Sequence, residues 1–382
     1  MLAGNLCTGC TACCVVCPVS AITMQEDEFG AKYPEIDEIK CVQCSLCEKT
    51  CPVLQIEQGN NSTASVLKTY AIQAEDEQLR SESSSGGLFS VLAKHVLSKN
   101  GVVVGCAMTE DCSAAQHVIV ENEADLALLR GSKYIQSDLG DVLKKTVDLV
   151  KAGRNVLFSG TPCQVAGLHY ALGKKKYDNL WTVDFICHGV PVPFAWKKYL
   201  HDHECQHGVK ARKVFFRDKL NGWKTYTMVV EFENGAKYTS KVTEDPYLRG
   251  FINNAYLRSS CYHCKVKGDS YFSDITIADF WGVDKRVPEF NDNMGTSLAI
   301  IHTEKGAKVL DVISAQLRRV EIDVVDALAN NPSYVSSVLH NPLRKRIMRE
   351  IKKQPLSNVI ERYYSTKLSS KLRRRLLILI EK

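Results

Sequence analysis

Along the chain the apolar positions fall into three regimes. In residues 1–58 they are few and scattered between cysteines, so this segment is expected to fold around its metal rather than around a core. Residues 59–67 (GNNSTASVL) are small and polar and read as a linker. From Lys68 the texture becomes α/β. TYAIQA, GVVVGCAM, HVIVEN, RNVLFSG, LWTVDFICHG, ITIADFWG and SLAIIHT are strand-like runs. Helical periodicity marks SSSGGLFSVLAKHVLSKN, opened by capping serines, then Asp138 to Ala152 and PCQVAGLHYALGKK. Strands alternating with helices predict a mainly parallel, layered sheet. Between Lys213 and Lys241 the period drops to two, which predicts an antiparallel insertion with a hairpin at Asn234-Gly235. Helices are expected to finish the chain.

Composition changes this picture in one respect. The 382 residues suffice for two or three domains, and 45% hydrophobic and 24% charged residues are ordinary for a globular protein. No run approaches 18 apolar residues, so no membrane-spanning helix is expected. Sixteen cysteines are not ordinary. Disulfides on that scale imply export, yet MLAGNLCTGCTACC has neither a charged n-region nor a long apolar h-region. The expectation is a cytoplasmic protein whose thiols are metal ligands or redox groups.

Cys7, Cys10, Cys13 and Cys17 form C-x₂-C-x₂-C-x₃-C-P, and Cys41, Cys44, Cys47 and Cys51 repeat it. Such a loop wraps three thiolates around one [4Fe–4S] cube, and the fourth cysteine of each run crosses to the other cube. One cluster is then expected on Cys7, Cys10, Cys13 and Cys51, the other on Cys41, Cys44, Cys47 and Cys17. Zinc knuckles would need only two CxxC pairs, usually more widely spaced. Cys14 is superfluous to the pattern and leaves the assignment between Cys13 and Cys14 open.

Four further cysteines occupy informative settings: Cys163 in SGTPCQ, Cys187 in ICHG, and Cys261 and Cys264 in SCYHC. Loops at strand carboxyl ends converge on one side of a parallel sheet. Four thiols there can close on a third [4Fe–4S] cluster; a zinc site or scattered buried cysteines are the alternatives. His188 and His263 stand next to these thiols as substitute ligands or packing groups.

SSGG (84–87), RGSKYIQS (130–137), FSGTPCQ (158–164), FICHGVP (185–191) and SCYHCKVKGDSYFSDITIADFWG (260–282) resemble the beta subunit of coenzyme F420-reducing hydrogenase and its dehydrogenase relatives. The resemblance spans about residues 68–300. It implies one FAD beside a [4Fe–4S] cluster, with Cys163, Cys187, Cys261 and Cys264 at the family's cysteine positions. The expected fold class is therefore an α/β (α+β layered sheet) flavin-binding domain over 68–340, preceded by a small two-cluster ferredoxin-like domain. The flavin contacts it suggests are Ser85, Gly86 and Gly87 at a helix start, where bare backbone suits a pyrophosphate; Gly131, Ser132, Lys133 and Tyr134; Thr161; and Asp279 at a strand end. Read without the resemblance, each of these is equally a capped helix, a turn or a buried corner. No G-x-G-x-x-G follows a strand, which argues against a nicotinamide dinucleotide.

The function expected is an iron–sulfur flavoprotein oxidoreductase. It would carry electrons from the ferredoxin-type clusters through a third cluster to FAD, and on to a deazaflavin (coenzyme F420) or a small organic acceptor. The alternative is an electron-relay subunit without a substrate of its own. Reduced ferredoxin or a redox partner subunit is the expected source. No catalytic proton donor is identifiable, and no Ser/His/Asp arrangement or strict HExxH suggests hydrolysis. Residues 343–382 carry thirteen basic and three acidic residues, so this tail is +10 and the preceding 342 residues −4. Residues 341–382 are expected to form a basic amphipathic tail, either resting on the inner membrane face or an acidic partner, or docking its apolar side on the body. Nucleic acid is disfavoured, since stacking aromatics are few.

Overall fold

The computed structural model describes residues 3–59, 66–268, 270–365, 374 and 378. Fourteen strands are formed among them: β1 (Ile22–Glu26), β2 (Lys32–Ile36), β3 (Lys68–Ala74), β4 (Val102–Met108), β5 (Ala115–Val120), β6 (Ser137–Asp138), β7 (Val156–Ser159), β8 (Leu180–Phe185), β9 (Ala211–Asp218), β10 (Thr227–Phe232), β11 (Lys237–Lys241), β12 (Ile275–Asp279), β13 (Ser297–Ile301) and β14 (Leu317–Glu321). Nine make one sheet in the order β14-β3-β13-β12-β8-β7-β4-β5-β6.

The sheet is mixed rather than mainly parallel. Only its centre, β12-β8-β7-β4, is a continuous parallel run. On one flank β13 pairs antiparallel with both β12 and β3, and β14 with β3; on the other β5 is antiparallel to β4. The central strands are apolar on both faces because helices cover both. Helix Leu88–Ser98 buries Leu88, Val91, Leu92 and Val96 against one face, a spacing that keeps them on one helical stripe. Helices Val142–Lys151 and Pro162–Ala171 cover the other. The capping serines expected before Leu88 are not its cap: Gly87, at φ +90°, is. Strand β14 (LRRVE) escapes the hydrophobic pattern because it is an edge strand, with Arg318 and Glu321 exposed.

The insertion is antiparallel, as expected, and forms a three-stranded sheet β11-β10-β9 with Gly235 at φ +83° in the hairpin turn. Its inner face packs with helix Pro193–His207 and with the chain's end. Ile347, Met348 and Ile351 of helix Arg344–Ile351, and Leu356, Val359 and Ile360 of helix Leu356–Tyr364, are all buried in that core. Through Tyr364 the basic segment thus turns its apolar side to the body. Residues 366–382, apart from 374 and 378, lie outside the described residues, as does most of the linker, 60–65. No helix among the described residues is long and apolar enough to cross a membrane.

Among its described residues the N-terminal segment forms no hydrophobic cluster of its own. Ala31 of the β1–β2 connection and Cys10 and Ala12 of the first cysteine loop are buried within the body's own apolar clusters.

Candidate redox site

Two cavities in the N-terminal segment are defined by cysteines. Cys7, Cys10, Cys13 and Cys51 line one, with Met24, Pro34 and Val53 as apolar walls. Cys17, Cys41, Cys44 and Cys47 line the other, with Ile22, Ile36 and Leu46. Each run thus sends its fourth cysteine to the other's cavity. The short helix Ala12–Val16 and its counterpart Leu46–Thr50 carry that crossing, each ended by the Cys-Pro pair that halts the helix. Cys14 lines neither cavity. Burial pushes the Cys7, Cys10 and Cys51 thiols up, although Arg258 opposes it at Cys7. The second cavity lies nearer the surface, with Cys44 exposed.

At the carboxyl ends of β7 and β8 the structure brings Cys163 and Cys187 to the loop bearing Cys261 and Cys264. Burial drives Cys163 up to about 11 and Cys261 to about 12, and proximity to the other thiols of the group adds to this. Cys187 rises for the same reasons, burial first, despite the opposing Lys267 ammonium. Lys267 donates to the Cys187 and Ser333 carbonyls, fixing the loop. Neutral thiols held this way become ligands when a metal replaces their protons. Among the described residues no three His, Cys, Asp or Glu side chains converge closely enough to hold a single ion. A tetrahedral zinc centre draws its sulfurs together on bonds of about 2.3 Å, whereas an iron–sulfur cube holds them further apart. His188 is not in the group; its Nε2 lies 2.7 Å from Asn254 Oδ1.

The first cavity and this cysteine group are neighbours. Thr8, between Cys7 and Cys10, hydrogen-bonds the Cys163 sulfur. One helical turn beyond Cys163, Gly167 faces Cys10 so closely that a β-carbon there would stand 2.8 Å from Cys10 Cβ. Arg258, three residues before Cys261, clamps the joint. Its Nε donates to the Cys7 carbonyl (2.9 Å), Nη2 to the Lys32 carbonyl (2.7 Å) and Nη1 to Gln136 Oε1 (3.0 Å). Tyr33 lies under its guanidinium at 4.3 Å. Sequence reading missed both Gly167 and Arg258, because neither belongs to a motif.

The flavin candidates gather at the same sheet edge, but several are already committed. Gly86 N donates to Ser297 Oγ (2.9 Å), and a β-carbon at Gly86 would meet Ile72 O at 2.2 Å. Gly87 is similarly pressed against Leu79 and Ala74. Helix-to-sheet packing thus requires glycine at both positions, whatever they bind. Ser85 Oγ donates to Thr296 O, while Ser132 N and Oγ both reach Ser84 Oγ. Gly131 takes φ +79° and has open space beside it. Lys133 Nζ donates to the Leu128 and Arg130 carbonyls, and burial lowers it to about 8. Thr161 caps helix Pro162–Ala171 in a reciprocal box with Gln164, its Oγ1 3.1 Å from the Cys163 sulfur.

Tyr134 and Asp279 are joined by a residue the sequence did not flag. Arg217, near the end of β9, pairs through Nη1 with Asp279 Oδ2 and lies 3.4 Å from the Tyr134 hydroxyl. Asp279 Oδ1 also accepts from Trp223 Nε1 (3.0 Å). The guanidinium sits 4.3 Å over the Tyr226 ring and 5.7 Å from that of Trp281. Tyr134 and Tyr226 are raised by burial and stay neutral. Asp279 is thus an engaged ion-pair partner, not a free carboxylate. Arg217 Nε and Nη2, by contrast, are buried with no hydrogen-bond partner among the described residues. Orphaned donors of this kind are what a bound acceptor group would satisfy.

Comparison with known proteins places these features. Residues 6–54 match the 4Fe-4S dicluster domain. Residues 69–144 match the N-terminal part, and 153–325 the C-terminal part, of the coenzyme F420 hydrogenase/dehydrogenase beta subunit. A subunit of the F(420)H(2) dehydrogenase of Methanosarcina mazei is 22% identical over 334 residues, covering 83% of this chain and 85% of the relative. A subunit of the NADH-quinone oxidoreductase of Geobacter metallireducens is 40% identical over 52 residues, 12% of this chain and 40% of the relative. A chain of the F420-reducing [NiFe] hydrogenase complex of Methanosarcina barkeri covers 80% of this chain and 95% of its own length, at 16% identity and a TM-score of 0.47. The two adjoining matches over the sheet, together with the dicluster match over the cysteine doublet, make this chain a member of the coenzyme F420 hydrogenase/dehydrogenase beta-subunit family with an N-terminal [4Fe–4S] dicluster segment, an iron–sulfur electron-transfer subunit.

Proposed function

We propose that this chain carries electrons from its two N-terminal clusters to a flavin at the sheet edge, and from there to a deazaflavin (coenzyme F420) or a small organic acceptor. Cys41, Cys44, Cys47 and Cys17 would hold the entry cluster, and Cys7, Cys10, Cys13 and Cys51 the second. Cys163, Cys187, Cys261 and Cys264 would hold a third. Iron–sulfur clusters supply one-electron storage at low potential, and FAD supplies the two-electron chemistry.

The observation that carries this reading is contiguity. From the exposed Cys44 the cysteine groups lead inward to Cys10, which touches the helix bearing Cys163, while Thr8 bridges the remaining gap. Cys163 follows β7, and Asp279 ends β12 on the same carboxyl edge. Along this route the protein's own residues position and insulate. Arg258 fixes the first loop against the body, and Lys267 anchors Cys187. A redox partner subunit or reduced ferredoxin would meet the exposed Cys44 side; the relatives named for F420-linked complexes favour a partner subunit.

Anaerobically purified protein is expected to hold about twelve irons per chain, from three four-iron clusters, with about one FAD, and to reduce coenzyme F420 once the clusters are reduced. Iron near eight without flavin would overturn the flavoprotein reading and leave the relay alone.

A further inference from the structure

Among the described residues Arg217 is a buried cation at the sheet edge with two neighbouring nitrogens unused. Its side chain is 6% exposed, and that of Asp279 10%. Nη1 serves Asp279 and Tyr134, while Nε and Nη2 have no partner among the described residues. Those two nitrogens lie along a single edge of the guanidinium, so together they form an unfilled planar fork for a group with two adjacent acceptors. Lys219, the nearby cation, has no such vacancy: its ammonium donates to the carbonyls of Arg80 (2.7 Å), Ser85 (3.0 Å) and Met294 (2.6 Å). Aromatic residues surround the guanidinium itself, the Tyr226 and Trp281 rings 4.3 and 5.7 Å from its carbon and the Tyr134 hydroxyl at Nη1.

A phosphate brings two charges and demands several donors, and the other cations here are spent on carbonyls. A flat heteroaromatic ring suits aromatic walls and a single planar fork. We infer that Arg217 receives the pyrimidine edge of a flavin ring, N1 and the C2 carbonyl, and stabilises the charge that reduction places there. If FAD is bound, two electrons delivered singly by the clusters and one proton would give FADH⁻, whose negative charge would be shared between N1 and that carbonyl. A fixed guanidinium therefore binds the reduced ring more tightly than the oxidised one, with Asp279 moderating the field as counter-charge and Tyr134 and Trp223 holding the pair in place. This inference rests on the FAD reading above.

The test uses the full chain, purified anaerobically and loaded with FAD, and reads flavin stoichiometry, the reduced-flavin spectrum and the two-electron midpoint potential. Arg217→Gln is expected to keep the iron content. It should lower the affinity for reduced relative to oxidised flavin by at least tenfold, a downward shift of about 30 mV for a two-electron couple. Arg217→Lys, which keeps the charge but loses the fork, should fall between. Asp279→Asn, which leaves the arginine uncompensated, should shift the potential upward, and it carries the test if Arg217→Gln fails to fold. Equal flavin content with potential and reduced spectrum unchanged in the folded variants overturns the inference. A wild-type chain that takes up no flavin overturns the FAD reading itself, so the two failures are distinguishable.

Discussion

Replacing Arg258 by Met tests whether the N-terminal segment and the body form one electron-transfer unit. The substitution keeps an apolar stem of similar reach and removes the guanidinium, which is almost wholly buried between the two parts. Two charge-assisted hydrogen bonds cross the joint, to the Cys7 and Lys32 carbonyls at 2.9 and 2.7 Å. At about 1.5–3 kcal/mol each, their loss amounts to about 3–6 kcal/mol. Relief of the arginine's own desolvation opposes it, so about 3 kcal/mol remains, a factor of roughly 10² in the docking equilibrium. Hydrogen exchange should then rise by about that factor across residues 3–59, while the central strands β7, β8 and β12 keep their protection. In the reduced protein, the magnetic coupling between the Cys7 cluster and the one proposed at Cys163 should weaken, because the joint that fixes their separation is loosened. Unchanged exchange in residues 3–59 together with unchanged coupling would refute the clamp.

Other perturbations probe separate links. Cys163→Ala should lower iron from about twelve to about eight per chain while the N-terminal pair keeps its spectrum; full iron content would reject the grouping with Cys187, Cys261 and Cys264. Gly167→Ala forces a methyl against Cys10, at 2.8 Å from its Cβ, and should cost about 1–3 kcal/mol by overpacking, read as a lower thermal midpoint with a perturbed first-cluster signal. Buried His117, held between Ser137 Oγ (2.7 Å) and Ser159 O (3.1 Å), is depressed by burial from 6.5 to about 4. As pH falls, the unfolded chain takes up this proton first, so stability is lost between those two values. Linkage gives about 1.4 kcal/mol at pH 5.5, seen as a urea midpoint falling from pH 7 to 5.5 more steeply in the wild type than in His117→Gln; equal slopes would exclude it. Ile351→Ala should destabilise by about 2–5 kcal/mol because Ile351 is fully buried; an unchanged midpoint would return residues 343–364 to the status of an appendage.

The cysteine doublet and the helix–strand alternation could be read directly because both are local. Ligand spacing is fixed by the reach of one loop around one cube, and a strand covered on both faces is a nearly continuous apolar run, as Leu298 to Ile301 of β13 are. Strand direction is not local. SLAIIHT reads the same whichever way it runs, and only its pairing with β12 and β3 makes it antiparallel. Gly86 and Gly87 read in sequence as a phosphate-binding pattern, and only the structure adds that packing against Ile72, Leu79 and Ala74 itself requires glycine there. The basic helices were ambiguous for a related reason, since an apolar stripe looks the same whether it faces lipid or protein.

By itself, the sequence determined that eight cysteines form a ferredoxin-type doublet, that a layered α/β domain follows, and which further cysteines stand at strand ends. Only the tertiary structure decided that the doublet is seated on the body, with Thr8 at Cys163, Cys10 on Gly167 and Arg258 across the joint. It alone paired Arg217 with Asp279 and buried the other edge of that guanidinium with no acceptor among the described residues. The physical reason is that motif chemistry depends on spacing along one loop. Docking and charge placement depend on residues 62 to 251 positions apart meeting in one volume, and no local pattern encodes that distance.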